Sequence, residues 1–341
     1  MLTIALALVP VVAFLAALWL MDAFRLVSRA TLARSIGCGA GVAVISLWLN
    51  AWLQHTFSIP STPLQRYVAP VVEEIAKALV VVGLISTASV GFLVDAALQG
   101  FAIGAGFALV ENLWYLREIP DGSIALWAVR GFGTALLHGA VTAIIAIVAK
   151  TIADRWPDRA AFGVLPGLAA AIAIHSGFNH RVLPPLAETL VLLVALPLLV
   201  VVVFERSERA TREWIGAGLD LDIALIDLLN SPEFSLTRFG SYLHELRTRM
   251  PGRLVADMYC LLRLELELSA QAKGMLLARE SGLELPADDE LEATLAERRS
   301  LEASIGKTGL LALDPLRITS RRDRWHRQLL QARRPSVRPR G

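Results

Sequence analysis

Residues 66–87 read RYVAPVVEEIAKALVVVGLIST. A run of this length, coiled at about 1.5 Å per residue, crosses the roughly 30 Å hydrocarbon layer of a bilayer. Yet Glu73, Glu74 and Lys77 fall inside it, within about one turn of each other. Ionisable side chains are costly in hydrocarbon, so by default they mark a site, a pathway or an internal pair. The stretch therefore predicts a membrane-spanning helix that presents polar groups to the interior of a helix bundle.

The rest of the chain supports a membrane setting. Of 341 residues, 55% are hydrophobic, and the mean hydropathy is +0.55. Residues 1–204 hold 21 Asp, Glu, Lys and Arg, and residues 205–341 hold 43. This asymmetry predicts an apolar membrane domain (1–204), a water-facing helical domain (205–316) and an Arg-rich tail (317–341). Seven apolar stretches, at about 2–21, 36–57, 66–87, 91–116, 124–150, 162–182 and 185–204, are each long enough to span. The first has no basic residue before it and reads as a retained helix rather than a cleaved signal. The fold class expected is all-α: a bundle of about seven transmembrane helices with a C-terminal α-helical cytosolic domain. Gly37-x-x-x-Gly41 and Gly100-x-x-x-Gly104 read as positions of close helix approach. Cys38 and Cys260 form no CxxC and no disulfide framework.

Charge in the connections gives an orientation. Arg25, Arg29 and Arg34 follow the first span, Lys150, Arg155 and Arg159 the fifth, and Arg206, Arg209 and Arg212 the seventh. The intervening connections carry only Arg66, Arg117 and Arg181. Positive-inside bias then puts the N-terminus outside the cytoplasmic (inner) membrane and the C-terminal domain in the cytosol.

Three further spans carry polar residues. The fourth has Glu111 and Asn112, the fifth has Arg130, Thr134, His138 and Thr142 at four-residue intervals, and the sixth has His175 and Asn179 one turn apart. Counting inward at about 1.5 Å per residue places Glu73, Glu74, Glu111, Arg130, His175 and Asn179 about 5–12 Å below the outer ends, with His138 deeper at about 20 Å. A shared depth on four helices predicts one polar cavity open to the outside.

Such a cavity has the groups for peptide-bond hydrolysis. Side chains at i and i+1 diverge by about 100°, so Glu73 and Glu74 take different roles. Lys77 reaches either one and keeps it ionised, leaving the other as a general base for water held by His175 and Asn179. His175 or His138 is the candidate acid or oxyanion partner. There is no HExxH, no GxGD, and no rhomboid-type serine motif around Ser176. The structural alternatives are a Glu–Lys brace between spans, a snorkelling or capping Glu111, and a hydrogen-bonded core His138. His180, Trp114 and Tyr115 read as interfacial, Arg130 as a charge partner, and His55 and Asp95 as span ends meeting solvent.

Together these residues resemble the PrsW family of intramembrane proteases, distantly similar to the CAAX prenyl endopeptidase and bacteriocin-immunity family. Glu73-Glu74-Ile75-Ala76-Lys77 fits an EExxK motif, Phe107 through Glu111-Asn112 fits FxxxEN, His138 sits at the third motif's histidine, and His175 through Asn179 fits HxxxN. The resemblance covers about residues 66–182. It implies a peptidase that cuts a membrane-anchored protein, such as an anti-sigma factor, near the outer surface. It also implies Glu73, Glu74, Glu111, His138 and His175 as catalytic residues, with the motif residues Lys77, Asn112 and Asn179 supporting them, and the residues themselves add Arg130 as a supporting charge partner. It leaves the cofactor open between none and a divalent metal such as zinc. If a metal is present, Glu74, Glu111, His138 and His175 are the expected ligands. The runner-up is a non-enzymatic membrane protein, either a carboxylate-dependent transporter or a pseudo-protease adaptor.

In the C-terminal part, Leu219, Ile223 and Ile226, and Leu254, Met258 and Leu261, recur at helical spacing. Ser231-Pro232 and Pro251 read as helix starts. Leu264–Leu268 alternates but lies within a helical pattern. Nine arginines in residues 317–341, with Trp325, Leu329 and Leu330, predict either contact with anionic lipid or a solvated tail. No nucleic-acid partner is expected.

Overall fold

The computed structural model describes residues 1–87, 89–156, 162–283, 289–314 and 330. The tail expected to touch lipid, Leu330 apart, lies outside them. Among the described residues every regular element is helical. The chain divides into two compact units, Met1–Arg209 and Ala210–Gly341.

The first unit is built from α1 (Leu2–Leu20), α2 (Arg29–Phe57), α3 (Ala69–Ser86), α4 (Leu93–Glu118), α5 (Ala135–Arg155), α6 (Val164–His180) and the first part of α7 (Pro185–Asn230). Two π-helical segments, Leu64–Val68 and Val129–Thr134, lead directly into α3 and α5. Five helices are long and apolar enough to cross a membrane: Leu2–Leu20, Arg29–Phe57, Leu93–Glu118, Ile124–Arg155 and Pro185–Asn230. Two of the seven expected spans are not among these five. Helix α3 carries Glu73, Glu74 and Lys77 within its 18 residues, and α6 has only 17 residues. These are the two helices that bring the first and last motifs to the site.

Helix α4 is the axis of the unit. It is buried almost all round from Val94 to Ala108, as a helix apolar on every face must be. Small residues let its neighbours approach. A Cβ on Gly100 would press on Ala143 and Ala146 of α5, and one on Gly104 would overlap the His138 backbone carbonyl. The Gly100/Gly104 pair thus packs as expected. The Gly37/Gly41 pair does not, because nothing lies within 4 Å of where either Cβ would be. The residue between them, Gly39, carries the α2 contact, with its Cα against Ile103 of α4, while Gly106 of α4 faces Ile36. The packed face of α2 runs Gly39, Val42, Ala43, Ser46, Asn50, which is α-helical spacing offset from the Gly37/Gly41 register.

Caps and turns fix the entries. Ser28 Oγ accepts from Thr31 N at 3.1 Å to start α2. Asp22 Oδ2 accepts from Leu26 N at 2.6 Å, tying down the α1–α2 connection. Asp95, read from sequence as a span end in water, is only 1% exposed. It accepts from Gly91 N at 2.7 Å and Gln99 Nε2 at 2.6 Å at the start of α4. His55 is exposed, as expected.

The second unit contains the rest of α7, a 3-10 turn (Pro232–Leu236), α8 (Arg238–Leu246), α9 (Gly252–Glu280) and α10 (Asp289–Leu313), which breaks at Gly306. The proline starts at Pro232 and after Pro251 are present, and Leu264–Leu268 is helical. Leu243, Val255, Met258, Leu261 and Ile305 form its core. A buried Lys273–Asp222 pair at 2.6 Å, with Lys273 5.1 Å from the Trp214 ring, braces α7 against α9.

Candidate active site

Four helices deliver the ionisable residues to one place. Helix α3 buries Glu73, Glu74 and Lys77 together, because its other face is apolar and carries none of the polar groups. Lys77 Nζ donates to Glu74 Oε1 at 2.6 Å. On α6, His175 donates from Nδ1 to the same Glu74 oxygen at 2.7 Å. This bond orients the His175 ring so that Nε2 lies 3.9 Å from Glu73 Oε2. Glu73 Oε1 accepts from Asn50 Nδ2 of α2 at 3.2 Å.

On the other side of the cluster, His138 of α5 accepts at Nδ1 from Lys77 Nζ (3.1 Å) and donates from Nε2 to Glu111 Oε2 of α4 (3.2 Å). Arg130 donates to the same Glu111 oxygen at 3.1 Å and from Nε to Asn112 Oδ1 at 3.0 Å. Its guanidinium lies 3.7 Å from the Tyr115 ring centroid. Asn112 in turn donates to the Ala7 carbonyl of α1 at 2.7 Å. Phe107, one turn before Glu111, packs against both Lys77 (4.5 Å from its ring) and the His138 ring (4.8 Å). The His138 and His175 rings meet edge-on at 4.9 Å.

Glu73, Glu74, Lys77, Glu111, His138 and His175 therefore form one connected network, with Arg130 and Asn112 bracing its Glu111 end. Asn179 takes no part in it. Its Nδ2 donates to Gln65 O at 2.8 Å, and Ser176 Oγ donates to Arg66 O at 2.6 Å. Both acceptors belong to the π-helical segment before α3, so the end of α6 clamps that segment. His180 packs on Tyr67 at 4.8 Å. Asn50 was not among the expected site residues. The signal available for it was an amide in the otherwise apolar run Leu47–Leu53.

Among the described residues one group has the makings of a metal site: Glu73, His138 and His175, all buried, with ligand atoms within 4.8 Å of one another. Two imidazole nitrogens and one carboxylate oxygen are a donor set that zinc accepts, provided His138 gives up its hydrogen bond with Lys77 or Glu111 to free a ring nitrogen. Glu73 Oε2 is buried without a hydrogen-bond partner, a deficit that a cation would remove. The Glu74–His175 bond is the carboxylate–histidine support that orients metal-binding imidazoles. The group differs from the expected ligand set. Glu74 is engaged by Lys77 and His175, and Glu111 by Arg130 and His138, so Glu73 is the carboxylate that joins the two imidazoles.

A buried cluster of carboxylates, imidazoles and balanced cations inside a helix bundle has the groups that a hydrolytic centre within a membrane requires. Residues 27–204, just over half of the chain, match the family model described as PrsW family intramembrane metalloprotease. The chain belongs to that family and is an integral membrane protein and an intramembrane protease. No curated protein and no solved structure matches it.

Proposed function

We propose that the chain is an endopeptidase that cuts a membrane-anchored protein, of the kind exemplified by an anti-sigma factor, near the extracytoplasmic face, using water activated by Glu73. The observation that carries this reading is the division of labour among the three glutamates. Lys77 neutralises Glu74 and Arg130 neutralises Glu111. Among the described residues Glu73 pairs with no lysine or arginine, and its Oε2 faces His175 Nε2. Glu73 is thus the carboxylate available to take a proton.

In this mechanism a water between Glu73 and His175 donates one hydrogen to Glu73 Oε2 and the other to His175 Nε2. It attacks the scissile carbonyl carbon as Glu73 takes one proton, which then passes to the amide nitrogen as the C–N bond breaks, leaving a new carboxyl group and a free amine. Glu74, held by Lys77, keeps His175 in the tautomer that accepts at Nε2. Glu111, held by Arg130, keeps His138 in place. A divalent metal held by Glu73, His138 and His175 would take the place of those water hydrogen bonds and would polarise the carbonyl or lower the pKa of its bound water. The surrounding bundle, Phe107 above all, excludes bulk water from these groups.

The same reading takes α3 and α6 as crossings too, giving seven, with the N-terminus outside the cytoplasmic membrane and residues 205 onward in the cytosol. The test compares purified wild type with Glu73→Gln, Glu74→Gln and His175→Ala, each confirmed folded, on a quenched library of single-span peptides. Wild type cleaves, and Glu73→Gln loses about 10²–10⁴-fold in kcat, the range for a general base. Glu74→Gln loses about 10–100-fold, as an orienting partner does. Cleavage by Glu73→Gln at the wild-type rate would overturn the assignment.

A further inference from the structure

We infer that Asn50 is a positioning residue for Glu73: its amide sets the plane of the Glu73 carboxylate so that Oε2 is presented to His175 and to the cation site. The inference rests on the reading of Glu73, His138 and His175 as the reactive group. Asn50 sits on α2, outside the four helices that carry the motif residues, and is 9% exposed. Its Nδ2 donates to Glu73 Oε1 at 3.2 Å, the only hydrogen bond Glu73 makes among the described residues.

The geometry is selective. A carboxylate offers two oxygens with two lone pairs each, and a donor on Oε1 alone fixes the group's rotation about its terminal bond. Oε2 is then turned toward His175 Nε2 at 3.9 Å. The energetics point the same way. Asn50 Oδ1 is buried with no partner, and an unmet acceptor of this kind costs about 1–3 kcal/mol. Leucine, close to asparagine in size, would fill an interior position in an apolar helix without that deficit. Packing therefore gives no reason for an amide here, whereas a donor to Glu73 does. The other two glutamates need no such help, because Lys77 and Arg130 already orient them.

Zn²⁺ alone is the probe, so no substrate is needed. The full-length protein in detergent competes with a chromophoric chelator, and the Zn²⁺ dissociation constant is read for wild type, Glu73→Gln, Asn50→Leu and Asn50→Gln, with the thermal midpoint of each. Asn50→Leu weakens binding by about 10–100-fold, as loss of a supporting partner does at other metal sites. Asn50→Gln, which keeps an amide, recovers most of it, and Glu73→Gln loses at least as much as Asn50→Leu. Wild-type affinity in Asn50→Leu, with Glu73→Gln weakened, overturns the role of Asn50 and leaves the site standing. An equal loss in Asn50→Gln also overturns it, since shape and not the donor then matters. Equal affinities in wild type and Glu73→Gln, or none in either, count against the site reading itself. Should Asn50→Leu unfold, Asn50→Ala replaces it under the same criteria.

Discussion

Lys77 is fully buried, and its ammonium touches three things: Glu74 Oε1 at 2.6 Å, His138 Nδ1 at 3.1 Å and the face of Phe107 at 4.5 Å. Removing one partner of a buried ion pair leaves the other charge uncompensated and costs about 3–5 kcal/mol, whereas removing both is far milder. Lys77→Met should therefore destabilise the protein by about that much. The double variant Lys77→Met/Glu74→Gln should be more stable than the sum of its single variants implies. Unfolding free energies of the four proteins in detergent measure the coupling, and strict additivity would mean the two groups do not support each other. The sequence left open which glutamate Lys77 takes, because three- and four-residue spacings are both within reach on a helix. What decides it is His175, which approaches from another helix and binds the same Glu74 oxygen, and no local spacing encodes that.

At the scale of helices, the glycine pattern shows why a motif can be recognised and still mislead. Gly37 and Gly41 have the spacing of a packing motif, but the contact belongs to Gly39, two residues from each. The difference is physical: the buried face of α2 is set by Val42, Ala43, Ser46 and Asn50, and Gly39 shares their side. Gly39→Ala should thus cost about 1–3 kcal/mol, the range for overpacking, because the new Cβ overlaps the Ile103 backbone. Gly37→Ala, with open space around it, should gain up to about 1 kcal/mol from helix propensity. Thermal midpoints of the two variants decide between the registers, and the reverse order would restore the Gly37/Gly41 face. The π-helical segments had no signature in the sequence either. They lead directly into α3 and α5, and the first has its Gln65 and Arg66 carbonyls bonded by Asn179 and Ser176. By contrast, the convergence of Glu73, Glu74, Glu111, His138 and His175 was legible. An ionisable residue in an apolar run has few tolerable places other than beside its opposite.

For the whole molecule, the open quantity is the number of crossings, and parity makes it testable. Seven crossings and five both put the two ends of the membrane unit on opposite sides, so a reporter after Arg206 reads cytosol in either case. The connections between α4 and α5 and between α5 and α6 do discriminate. If α3 and α6 cross, the turn at Asp121–Gly122 lies outside and Trp156 lies inside. If neither crosses, both assignments reverse. The charges favour seven: Lys150 and Arg155 end α5 beside Trp156, whereas at the end of α4 Arg117 is offset by Glu118 and Asp121. The cost of inserting α3 favours it as well, because Glu74 and Lys77 are fully buried and paired within the bundle, so their charges never face lipid. A short α6 is no obstacle, since 17 residues span about 25 Å and local thinning covers a few Å of mismatch at small cost. Paired reporter fusions at Asp121 and Trp156 should therefore read outside and inside, respectively. The opposite pair of readings would leave α3 and α6 as helices packed within the bundle without crossing, and would move the catalytic groups away from the outer face.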